Sequence, residues 1–177
     1  MSNSSLAVPS ILFNKLELFF QKINLEIFSV TSLSNIFKIT NYSALLGWGI
    51  LIILPYWQLA QPLVIGIIVT LLCIVYCYLV FLGKRHDDPT VKYRGNFKSL
   101  KGVINLFKSP RVVLAGWIHY LAFDLMVGIY ILNDASQYGI SHWLLIPSLL
   151  LSLMFGPAGL LLYFIIRFLM DNGLFIT

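Results

Sequence analysis

Residues 111–133 read RVVLAGWIHYLAFDLMVGIYILN, twenty-three positions in which only Arg111, His119 and Asp124 have side chains that ionise in the acid-to-neutral range or are permanently charged. About 20 helical residues cross 30 Å of hydrocarbon, so this stretch reads as a membrane span rather than a soluble core helix. The surroundings agree. Three further apolar runs lie near Asn41–Trp57, Ala60–Leu82 and His142–Phe168. With 59% hydrophobic and 11% charged residues, the 177-residue chain has too little polar surface for a water-soluble domain. The expected fold is an all-α, polytopic membrane protein with four transmembrane helices. Residues 1–40 form an N-terminal segment ahead of a transmembrane domain over 41–177.

Charge sets the expected orientation. The segment 83–110 carries Lys84, Arg85, Lys92, Arg94, Lys98, Lys101 and Lys108 against Asp87 and Asp88, whereas residues 56–61 and 134–141 have no lysine or arginine. The positive-inside rule therefore places the basic loop in the cytoplasm. Lys38 and Arg167 then predict that both termini are cytoplasmic too. Residues 11–28 set Leu12, Leu16, Phe19, Phe20, Ile23 and Ile27 against Asn14, Glu17, Gln21 and Asn24, the pattern of an amphipathic helix lying in the inner interface. The opening residues lack the basic and apolar regions of a secretory signal, and no long transit segment is visible; a bacterial inner or thylakoid membrane is expected rather than a plastid one.

His119 and Asp124 are the candidate chemical residues, because ionisable groups at membrane depth are costly and usually functional. Five positions apart, they are about 140° apart around a helix, so they do not form a hydrogen-bonded dyad. Counting depth from the helix ends puts Asp124 level with Trp48, Thr70 and Ser152, and His119 level with Ser43, Tyr76 and the Gly156-Pro157 break. Pro157 removes a helical donor from the Leu153 carbonyl. Trp48, Thr70, Tyr76, Trp117 and Ser152 are accordingly the candidate ligand-binding residues of a polar pocket. Ser148, Ser152 and Gly156, four apart, read as helix packing, and Cys73 and Cys77 as packing residues. No metal-ligand spacing, phosphate loop or nucleophile elbow occurs, so neither metal nor cofactor is expected, and no nucleic-acid partner.

The runs NFKSLKGVINLFKSPRVVLAGWIHYLAFDLMVG (96–128) and IPSLLLSLMFGPAGLLLY (146–163) resemble the abscisic-acid-deficient-four-like family. Trp117, His119, Leu121, Ala122, Asp124 and Leu125, and Phe155 through Gly159, carry the resemblance. Plant members of that family are required to form the allenic xanthophyll neoxanthin from the epoxide violaxanthin. The resemblance implies a membrane protein that binds or modifies a carotenoid, with Asp124 and His119 as the acid and base of a carotenoid isomerase-like activity. The alternative is a non-enzymatic membrane subunit or assembly factor whose basic loop meets membrane lipid or a protein partner.

Overall fold

The structure, a computed structural model, describes residues 7–87, 91 and 95–170; apart from Lys15 and Glu17, which are exposed, the side chains of residues 7–30 lie outside the described residues. Every described element is a helix. They are α1 (Ala7–Ile53), α2 (Ala60–His86), α3 (Leu100–Leu106), α4 (Pro110–Gln137) and α5 (His142–Leu169). Four stretches, Thr31–Ile53 of α1 and the whole of α2, α4 and α5, are long and apolar enough to cross a membrane.

The first span begins about ten residues earlier than the sequence suggests and stops at Ile53 rather than Trp57. Pro55 is the reason for the stop: its ring disfavours helical backbone at Leu54, so the chain turns there. The amphipathic stretch is helical and runs into this span without a break. How its apolar face is covered lies outside the described residues.

One end of the bundle gathers Leu33 and Phe37 of α1, the end of α2 and the start of α4. We call it the loop end. The other, the far end, holds the turn after Ile53 and the connection 138–141: His142 Nε2 lies 2.9 Å from the Ile52 carbonyl, and the Tyr56 and His142 rings are 6.2 Å apart. Arg111, at the start of α4, ties the loop end together. Its guanidinium meets both carboxylate oxygens of Asp87 at 2.8–3.0 Å and donates to the Leu79 carbonyl of α2 at 2.6 Å. Ser109 caps α4 by accepting from the Val112 amide and donates to Asp87 at 2.7 Å. Burial acts to raise the Asp87 carboxyl, but the hydrogen bonds from Arg111 and Ser109 outweigh it and hold the group below its ordinary value.

Helix α5 does not run straight. Phe155 leaves helical geometry at φ −147° and ψ 70°, and the chain reverses there. In a straight helix Ser148 and Gly159 are about 16 Å apart, yet here a Cβ on Gly159 would collide with the Ser148 carbonyl and the Ser152 side chain. Residues 142–154 descend from the far end; residues 156–169 climb back beside α4, bringing Tyr163 and Arg167 to Asp134. The sequence supplies the reversal. Pro157 suits the first turn of a new helix, where its missing N–H costs nothing, and glycines at 156 and 159 let backbones touch. Each arm is roughly 20 Å long, so the doubled helix reaches only to mid-bundle.

This corrects the placement of Arg167. The sequence puts it with the basic loop; the structure puts it at the far end, fully buried, 2.9 Å from Asp134 Oδ2 and with its guanidinium carbon 4.0 Å from the centre of the Tyr138 ring. A buried, paired arginine does not count among the loop charges that fix orientation.

Candidate functional site

The hairpin tip meets the middle of α4 at Asp124. Its side chain is buried, 5% exposed, and lies against Gly156, where a Cβ would overlap Oδ1. Its polar neighbours are the Gly156 backbone and the Tyr120 hydroxyl, one helical turn away. Oδ2 has no hydrogen-bond partner among the described residues. The Tyr120 hydroxyl proton is donated to the Met154 carbonyl, next to the reversal. The sequence expects the free carbonyl at Leu153, one residue earlier, because it assumes a kinked but continuous helix.

A narrow cavity of about 180 Å³ opens beside this cluster, walled by Trp48, Trp117, Tyr120, Leu153 and Met154. Trp117 separates it from a wider groove of about 450 Å³ that runs toward the loop end between Leu33, Phe37, Pro110 and Val113. Aromatic rings line the passage: Trp117 stacks on Tyr120 at 5.4 Å and tilts over Phe37 at 6.3 Å. An indole hydrogen bond of 3.2 Å to Asn41 Oδ1 fixes Trp117 in place. Trp48 is set by Gly128, at which a Cβ would come within 2.7 Å of its ring. Pro110 and Tyr120 are ten helical positions apart, so the two spaces together extend roughly 15 Å from the loop end to mid-bundle.

Of the residues singled out from sequence, Trp48 and Trp117 line this cavity, Asp124 adjoins Tyr120 of its wall, and Ser152 immediately precedes Leu153 of its wall. Ser152 lies behind the cavity, buried where the two arms of α5 touch. Three do not join them. His119 points away from Asp124, as its position on the helix requires, and stacks instead on Phe123 at 4.3 Å and Tyr76 at 5.7 Å on the outer surface. Tyr76 is therefore part of that surface stack. Thr70 is exposed and bonds back to the Ile65 carbonyl at 3.0 Å, across a wide π-helical turn. Tyr120 was missed, although it sits four positions from Asp124, the spacing that brings side chains together on one helix face.

This is a multi-pass helical membrane protein with an aromatic groove that reaches Tyr120, the neighbour of a buried carboxyl group. Residues 35–163 match the family described as ABA DEFICIENT 4-like, and the chain belongs to that family. It is similar to Protein ABA DEFICIENT 4, chloroplastic, of Arabidopsis thaliana: 23% identical over 146 residues, which cover 78% of this chain and 63% of the plant protein. The chain thus spans less than two thirds of that relative's length. No solved structure matches it.

Proposed function

We propose that the protein binds an elongated polyene lipid of the xanthophyll class in the groove between α1 and α4 and carries out acid-base chemistry on its oxygen-bearing end at Asp124. The supporting observation is the pairing of shape and chemistry: a long apolar passage walled by aromatic rings reaches Tyr120, whose hydroxyl adjoins a buried carboxyl group with an oxygen unpartnered among the described residues. Flat rings suit a flat polyene, and a few polar groups in an apolar pocket orient a ligand. Family membership points to the same substrate class.

An epoxide opens to an alcohol when its oxygen gains a proton, and loss of a C–H proton from the same molecule leaves the formula unchanged. Asp124 and the Tyr120 hydroxyl beside it are the two groups placed to move those protons. His119, on the outer surface, takes no part in this scheme.

The test is expression of the full chain in a host that accumulates an epoxy-xanthophyll, with chromatography of cell pigments and of pigment held by the purified protein. Conversion to an isomer of equal mass is expected. With Asp124→Asn, normal protein abundance and retained pigment should accompany a 10²–10⁴-fold loss of conversion, the usual contribution of a positioned acid or base. Undiminished conversion by this variant would sink the assignment of Asp124. Absence of any bound pigment would sink the groove.

A further inference from the structure

The segment 95–110 contains three lysines and no acidic residue. Its helix, α3, is capped by Ser99, whose Oγ accepts the Gly102 amide at 3.1 Å, and closed by a backbone bond of 3.3 Å from Asn96 to the Gly102 carbonyl. Leu100, Ile104 and Phe107 recur at helical spacing, with Phe97 just ahead; Phe97, Leu100 and Ile104 are exposed, the first two at 81% and 77%, and Phe107 is exposed on the side turned from α4. Lys98, Lys101 and Lys108 are exposed alongside them.

The C-terminal end of this helix is held against α4. Phe107 packs against Gly116, where a Cβ would approach its ring to 2.9 Å. Gly116 lies six residues into α4, roughly 9 Å along it. A helix held at that level cannot present its apolar stripe to bulk water in a chain that spans a bilayer. It lies where acyl chains give way to headgroups, with lysine stems reaching outward past the stripe.

We propose that residues 97–108 form an in-plane anchor that binds anionic phospholipid headgroups of the leaflet on the loop side. Charge complementarity selects the occupant. Asp87, the described acid at this end, is already engaged by Arg111 and Ser109, so the three lysines face outward with phosphate as their natural counter-charge. This binding is independent of what the groove between α1 and α4 holds.

The full chain is placed in nanodiscs of equimolar phosphatidylcholine and phosphatidylglycerol, and retained lipid is counted by native mass spectrometry. The unaltered protein should keep phosphatidylglycerol over phosphatidylcholine by about tenfold at low salt. The triple variant Lys98→Gln, Lys101→Gln, Lys108→Gln should lose that preference, and the corresponding triple arginine variant should keep it. Equal preference in the unaltered and glutamine proteins overturns the proposal. A second reading uses a fluorophore on Leu100→Cys, with Cys73→Ser and Cys77→Ser. Spin-labelled lipid should quench it and aqueous iodide should not. Iodide quenching to the level of free dye overturns the proposal and marks the segment as a surface for a soluble partner.

Discussion

Asp124 and Gly156 define how closely the hairpin tip approaches α4, and the fit leaves no room for a methyl group. Gly156→Ala must push the carboxyl group or the tip away, at about 1–3 kcal/mol, the usual cost of overpacking. Gly128→Ala has the same cause, through the Trp48 ring. Gly49→Ala meets nothing within 4 Å and should be neutral or slightly stabilising, because alanine is the better helix former. Thermal unfolding of the three variants in one detergent checks the order. Should Gly156→Ala match Gly49→Ala, the tip does not seat on Asp124. At this scale the sequence was only partly legible. Depth and helical angle separated His119 from Asp124 correctly, because both depend on one helix alone. Which residues of other helices meet Asp124 depended on the path of α5.

Among the described residues, two ion pairs hold elements together, and they differ in environment. Asp87, outside the spanning segments, joins α2 to α4 with its carboxyl held below the ordinary value. Its contribution is full above the ordinary carboxylate range and fades as pH falls through the lowered value. Asp87→Asn should therefore cost about 1–3 kcal/mol near neutral pH and progressively less in acid. Melting curves of both proteins across pH should converge at the acid end; a constant gap would mean that the pair is not what Asp87 contributes. The second pair, Arg167 with Asp134, pins the returning arm of α5 to α4, with Tyr163 donating to the same carboxylate. Asp134→Asn strands a buried guanidinium, a loss of about 3–5 kcal/mol. Adding Arg167→Met should recover much of it, since replacing both partners removes the unpaired charge. A double variant no better than the single one would show that the pair is not the pin. Neither pair was visible in the sequence, where the partners stand 24 and 33 positions apart. Phe155-Gly156-Pro157 was visible as a break, but proline permits both a kink in a crossing helix and the start of a returning one. Only tertiary packing against Gly159 and Asp134 decides between them.

For the whole molecule, the doubled α5 changes which end of the bundle Arg167 reaches. α1, α2 and α4 each run between the loop end and the far end, so Thr31 lies at the loop end and Gln137 at the far end. A straight α5 would return the chain to the loop end. A reversal at Phe155 leaves Arg167 at the far end instead, beside Asp134 and Tyr138. The charge rule does not oppose this. Arg167 is neutralised within the bundle, and the exposed cations Lys84, Arg85, Lys98, Lys101 and Lys108 all belong to the loop end. The prediction is that single cysteines at Ser99 and Met170, in a protein lacking Cys73 and Cys77, label from opposite sides of sealed vesicles. Ser99 should react from the cytoplasmic side. Labelling of both from one side would mean that α5 crosses straight, that Tyr163 and Arg167 cannot reach Asp134, and that the carboxyl group of Asp124 faces lipid without the hairpin tip to seat it.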